Sequence, residues 1–338
     1  MESIFSNELI MEKIATYLTL PELKRVRLLF PGISDSVARI ILRRSVVTVP
    51  VWRDDDCEFW IDKEITTWLI SVVVKRARLS LSKKTRENVR GMKAIEFLQQ
   101  IKDDIIELEL TAKYPLRTKL ELLQLPRMPS LQIFRNKAIE IFKVERFLNP
   151  TNFPKVETIL LRSSKKSSGS LNQLIFALSI PMPTVLRLHL YGITDYDLFS
   201  KICQLFENVK EFRIGTGPRR GPNFWPDDSI PQLFLSFSEF RGLETLKVNL
   251  REKSNFSTLT RALDSISVPG LKEFQLTVGM TQADFSLMQP AIFFHVRDVF
   301  FHSRSAFGRI PSLKTIEVGF DVVCHRTTKR IKLFSDTR

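Results

Sequence analysis

Four histidines, His189, His295, His302 and His325, and three cysteines, Cys57, Cys203 and Cys324, are the side chains best suited to metal or nucleophilic chemistry. None has a Cys or His partner at metal-ligand spacing, which zinc coordination requires. There is no zinc-protease His pair and no Gly-x-Ser-x-Gly elbow. Gly215-Thr216-Gly217-Pro218 lacks the Lys-Ser or Lys-Thr ending of a phosphate loop, so its glycines and proline make an ordinary loop. Asp54-Asp55-Asp56 offers three carboxylates of the kind a hard cation takes. An acidic turn at a helix start, where negative charge is favoured, explains them more simply. A thiol attacks only as thiolate, and nothing in sequence beside the three cysteines lowers a thiol pKa. The residues therefore predict a chain that is not an enzyme and holds neither metal nor cofactor.

Charge is the compositional departure: 51 Lys and Arg against 37 Asp and Glu give a formal +14. Several cations sit at alternate positions of strand-like segments, which turns them away from the core. They are Arg135 and Lys137, Arg162, Arg187 with His189 and Tyr191, and Arg213; Glu107 and Glu109 take the same sites further upstream. A basic centre beside an acidic end suits a partner with an acidic or phosphorylated segment, because Arg grips carboxylate or phosphate with two hydrogen bonds. The loop from Gly215 to Asp228 adds Arg219, Arg220, Phe224 and Trp225, and is stiffened by Pro218, Pro222 and Pro226. Attraction to nucleic-acid phosphates is the alternative that this charge permits. Against it, most of the 26 Phe lie in apolar stripes, as Phe176, Phe199, Phe206 and Phe274 do, and read as core instead of stacking platforms.

The elements that position these side chains follow one template, apolar residues at offsets zero, three and five. Val185, Leu188 and Leu190 show it, as do Ile105, Leu108 and Leu110; Val156, Ile159 and Leu161; Val209, Phe212 and Ile214; Leu243, Leu246 and Val248; Leu271, Phe274 and Leu276; and Leu313, Ile316 and Val318. Asn136 takes the third slot of a degenerate copy at Leu131 and Phe134. A Pro often stands two residues upstream, at 129, 154, 183, 269 and 311, so the chain enters each strand through a fixed extended turn. First positions from 105 to 271 are 24 to 34 residues apart.

That spacing resembles the leucine-rich repeat, one strand plus one helix per unit. The resemblance implies an α/β solenoid with parallel strands on its concave face and helices on its convex face. The position usually held by Asn or Cys carries Lys113, Ser164, Ile193, Gly217, Arg251 and Gly279, so an irregular array is expected. The last copies crowd together, which predicts a tight run of strands with Ile331-Lys332-Leu333 closing or fraying the array. Residues 1–44 instead show three short amphipathic helical stripes, with Glu8-Leu9-Ile10, Ile14, Tyr17-Leu18, Leu23 and Leu28 at the spacing of an F-box. The family's Leu-Pro opening is Phe5-Ser6 here, and Pro31-Gly32-Ile33 stands where a Trp is usual. A helical cap that only shields the first repeat is the alternative. The expected division is 1–44 F-box-like, 45–76 connecting, 77–325 repeat array and 326–338 C-terminal cap or tail.

The joint resemblance implies a substrate receptor of a cullin-type ubiquitin ligase. Phe5, Leu9, Ile14, Leu18 and Leu23 would meet a Skp-type adaptor and, through it, a cullin scaffold. Arg135, Lys137, Arg162, Arg187, His189, Tyr191, Arg213, Arg220 and Trp225 would meet the target protein. No paired Cys-x-x-Cys sites of a RING domain are present, so a partner would supply the transfer chemistry. A repeat scaffold without ubiquitin function is the alternative role. Three distant cysteines, no secretory leader and no long apolar run predict a cytoplasmic or nuclear protein that does not enter a membrane.

Overall fold

The computed structural model describes residues 10, 13–14, 17–29, 34–53, 58–71, 73–81, 91–112, 125–139, 146–163, 170–193, 198–215, 230–250, 265–281, 310–324 and 327–337. Thirteen strands and seven α-helices are described. The chain divides into two compact units: Met1–Arg135 with Ile141–Phe147 and Thr151–Val156, and Asn136–Glu140 with Leu148–Pro150 and Glu157–Arg338.

The first unit begins with helices α1 (Leu20–Leu29) and α2 (Ser34–Arg44). Thr19 caps α1 with its partner Glu22, whose Oε2 accepts the Thr19 amide at 2.6 Å and hydroxyl at 2.7 Å. Thr-Leu-Pro-Glu thus has the residue types of a capping box, with Pro where the missing N–H costs nothing. The hydrogen bonds from Thr19 hold the Glu22 carboxyl below its usual range. Leu23, Val37, Ile40 and Ile41 make a small shared core, with Leu18 and Val26 packed against it. Arg44 donates to the Leu18 carbonyl at 2.9 Å, which ties the end of α2 to the start of α1.

The same unit continues with β1 (Val47–Arg53), β2 (Phe59–Asp62), α3 (Lys63–Ser71), β3 (Arg76–Leu81), β4 (Gly91–Lys93), α4 (Ala94–Ile101) and β5 (Glu107–Ala112). Their order is β5-β3-β1-β2-β4. β1, β3 and β5 run parallel, while β2 pairs antiparallel with both β1 and β4. Asp62 Oδ1 caps α3 by accepting the Glu64 amide at 2.9 Å. Val73 follows that helix at φ 52°, a left-handed conformation that a β-branched residue adopts only under strain. β6 (Ile133–Asn136) is divided in sequence, Ile133–Arg135 belonging to the first unit and Asn136 to the second.

The second unit holds β7 (Thr158–Arg162), α5 (Ser170–Ala177), β8 (Arg187–Tyr191), α6 (Leu198–Leu205), β9 (Glu211–Gly215) and α7 (Ile230–Ser236). These are followed by β10 (Thr245–Leu250), β11 (Glu273–Thr281), β12 (Thr315–Cys324) and β13 (Thr327–Thr337). Seven strands lie in chain order, β7 to β12 parallel and β13 antiparallel to β12. Each parallel strand after β7 is entered in one way. The amide of the first apolar residue closes a turn on a buried apolar residue three positions back, as in Val185 to Met182 at 3.2 Å and Leu313 to Ile310 at 3.2 Å. Pro183, Pro269 and Pro311 take the second position of such turns, where their fixed φ is suited. The next residues then bond to the neighbouring strand's entry: the Glu157 carbonyl accepts the Leu186 and Arg187 amides, both at 2.9 Å. Beneath β9, Phe199, Phe212, Phe234, Phe237 and Phe240 form a chain of ring contacts with centroids 4.9–6.0 Å apart.

This architecture corrects the expected one. The strands form a mixed parallel and antiparallel arrangement with few, short helices, in place of a three-helix domain followed by a solenoid of parallel strands each backed by a helix. The first helical stripe expected in residues 1–19 and the segments 251–264 and 282–309 between β10, β11 and β12 lie largely outside the described residues. The offset pattern encodes a buried strand and its entry turn; it says nothing about whether the intervening segment coils. Antiparallel β13 follows from a connection of two residues, 325 and 326, which is far too short for a parallel crossover. The two units exchange residues over 135–157. Among the described residues, no helix is long and apolar enough to cross a membrane.

Candidate functional site

In the second unit the polar slots of the strands line up in rows, because the parallel strands pair without offset. One row reads Thr158, Arg187, Glu211, Thr245, Glu273 and Thr315; the next reads Leu160, His189, Arg213, Lys247, Gln275 and Glu317. A third, toward the carboxyl ends, reads Arg162, Tyr191, Gly215, Asn249, Thr277 and Gly319. The intervening Ile159, Leu161, Leu188, Leu190, Phe212, Ile214, Leu246 and Val248 are buried.

Most cations of these rows are already neutralised. Arg187 Nε donates to Thr158 Oγ1 at 2.8 Å, and its Nη2 lies 3.6 Å from Glu157. Arg213 Nε donates to Glu211 Oε1 at 2.5 Å, while His189 Nε2 stands 3.4 Å from the same oxygen. Lys247 Nζ meets Glu273 at 2.8 Å, and Gln275 donates to Glu317 at 3.1 Å. Burial pushes the Glu211 carboxyl up, but the Arg213 hydrogen bond and charge, with His189 and Lys247, outweigh it and hold the group below its usual range. The expected basic centre is therefore a cross-strand ion lattice whose acidic half, Glu157, Glu211, Glu273 and Glu317, was not singled out from the sequence. The signal was present: these residues occupy or immediately precede the same alternating slots.

Arg162 differs. It is exposed at the end of β7, and no carboxylate meets it among the described residues. Tyr191, beside it on β8, lies against Gly215 of β9: a Cβ there would come within 2.8 Å of Tyr191 Cδ1 and 3.1 Å of Cε1. Lys137 follows the buried Asn136, whose Oδ1 accepts the Ala138 amide at 3.1 Å and turns the chain. Arg220 and Trp225, with Arg219 and Phe224, lie outside the described residues.

The first unit carries its own charged ladder. Parallel register sets Arg76 opposite Glu107 and Arg78 opposite Glu109. Arg78 reaches Glu109 at 3.1 Å and Arg76 reaches Glu107 at 3.8 Å, while Arg135 pairs with Glu107 from the other side. Glu107 and Glu109 are 4% and 2% exposed, which corrects the reading of them as a solvent-facing acidic end. Arg135, expected at the target, is held in this ladder. Burial, then the nearby Arg76 and Arg78, lower its pKa from the ordinary guanidinium value.

On the N-terminal helices the expected adaptor residues separate. Leu23 is fully buried in the helical core and Leu18 packs partly against it, so Leu23 cannot present a face to a partner. Ile14 is partly exposed, while Tyr17 and Leu28 are 83% and 81% exposed. Phe5 and Leu9 lie outside the described residues. On the opposite side of expectation, Phe176 is an exposed ring, with Lys201 Nζ 4.9 Å from its centroid.

Catalytic geometry is not assembled among the described residues. They contain no group of three His, Cys, Asp or Glu that could hold a metal ion. Cys203 is buried, and burial followed by the Glu239 charge pushes its thiol far above the ordinary range, away from the thiolate a nucleophile needs. Cys57 and the triple aspartate lie outside the described residues.

No family model matches the chain, and no curated protein matches it. Among solved structures, it aligns with the last common ancestor of ADP-dependent phosphofructokinases from Methanosarcinales at 12% identity and a TM-score of 0.20. The alignment covers 92% of this chain and 65% of that structure.

Proposed function

We propose that this chain is a non-catalytic receptor whose N-terminal helices dock on a Skp-type adaptor, and through it a cullin scaffold, while the polar strand face of the second unit holds a target protein for ubiquitin transfer by a partner enzyme. The observation that carries the reading is that Tyr17, just before α1, and Leu28, on α1, are large apolar side chains left in solvent beside a helical core already filled by Leu23, Val37, Ile40 and Ile41. Exposed apolar side chains of this kind mark interaction surfaces when they stand together. The identity of the partner is what the F-box resemblance implies.

The test is capture of a purified Skp-type adaptor by the full chain. Tyr17→Glu combined with Leu28→Glu is expected to reduce capture by about tenfold or more, the scale of one lost hot spot, with circular dichroism unchanged. Adaptor capture equal to that of the parent chain, or none by either, would remove this reading.

A further inference from the structure

We infer that the carboxyl ends of β7 to β10 bind an extended protein segment through a single Asp or Glu side chain, with Arg162, Tyr191 and Asn249 as the contacts. The inference rests on the receptor role proposed above and narrows its target. The carboxyl ends of the parallel strands β7 to β12 lie along one edge of the second unit's sheet. Arg162, Tyr191, Gly215 and Asn249 occupy one register row there, on four successive strands. With neighbouring strands about 4.8 Å apart, the row extends roughly 14 Å, the reach of about four extended residues.

The row differs from the two before it in what is left unmatched. Arg187, Arg213 and Lys247 each meet a carboxylate, whereas Arg162 meets none among the described residues. The half-buried Asn249 amide likewise has no hydrogen-bond partner among them. Between these two, the Tyr191 ring is held against Gly215, where a side chain would collide with it. A cation, an aromatic surface and an amide are thus fixed in line, so little ordering entropy is lost when a segment lies across them. Arg grips a carboxylate through two parallel hydrogen bonds. One guanidinium balances one carboxylate; a phosphate dianion carries one negative charge more than Arg162 can balance.

The experiment pans a displayed library of random ten-residue peptides against the full chain and against Arg162→Gln and Asn249→Ala. Enriched peptides are expected to share one Asp or Glu, and their retention to fall about tenfold on Arg162→Gln and less on Asn249→Ala. Gly215→Ala, which displaces the Tyr191 ring, should weaken retention as well. Lys314→Gln removes the same charge elsewhere on the unit and should change nothing. Phosphoserine at the acidic position should bind more weakly than Glu. Enrichment without an acidic residue, no enrichment at all, equal retention on Arg162→Gln when both chains melt at the same temperature, or tighter phosphoserine binding would overturn the inference. Adaptor capture measured on the same variants separates the two ideas: it should be unchanged in all of them, and its absence in the parent chain would count against the receptor role alone.

Discussion

Glu211 shows how much of this protein's charge is spent internally. Its carboxylate faces Arg213, His189 and Lys247, and its folded pKa lies below the usual carboxylate range. For a depressed carboxyl, the associated stability is fully present above the unfolded pKa, about 4.3, and is lost as pH falls through the folded value. Glu211→Gln should therefore destabilise the second unit by roughly 1 kcal/mol at pH 7, the order of one charge-assisted hydrogen bond at a partly exposed site. The difference from the parent should shrink as pH falls toward 3. Denaturant melts at several pH values measure this, and a pH-independent difference would mean that packing, not the charge, carries the effect. The same bookkeeping explains Arg135: a cation counted on a strand slot was free in the sequence but is claimed by Glu107 in the fold.

At the level of the element, β8 is the informative case. Leu188 and Leu190 are fully buried, while Arg187 between neighbouring slots is exposed. Leu188→Ala should cost about 2–5 kcal/mol, the range for a buried leucine that leaves a cavity. Arg187→Ala should cost about 1 kcal/mol or less, since its ion pair with Glu157 is largely solvated. Urea unfolding of both variants tests the register, and equal losses would show that β8 is turned over. The entry turns give the element its position: Pro183 sets the turn that closes Val185 on Met182, after which Leu186 and Arg187 bond to Glu157.

For the whole molecule, the division into two units makes a prediction that neither scale below can make. Leu108 belongs to the first unit and Leu188 to the second, and both are fully buried. Each compact unit is expected to unfold as its own cooperative step, as domains do. Calorimetry should resolve two transitions, with Leu108→Ala lowering one and Leu188→Ala the other. A single transition moved equally by both substitutions would show one cooperative body. The helical pair is too small to add a third strong transition, because a four-residue buried core supports little independent stability.

The sequence by itself determined the apolar triplets, their entry turns and the alternation of β8, because a side chain's burial along a strand has period two and proline sets its own φ. The cap at the start of α1 was not singled out, although Thr19 and Glu22 stand three residues apart and need no distant partner. Only the tertiary structure decided which charges are satisfied. Arg76 and Glu107 are 31 residues apart in the chain and opposite one another in register, and no local pattern ranks that pairing above its alternatives. The same holds for the architecture: a buried strand looks alike in a repeat array and in a mixed sheet, and the difference lies in the segments between strands. For Leu23, apolar type and helical spacing suit an internal core and a docking face equally well. The fold assigned it to the core and left Leu28 outside, because two short helices can enclose only the side chains on the stripe they share.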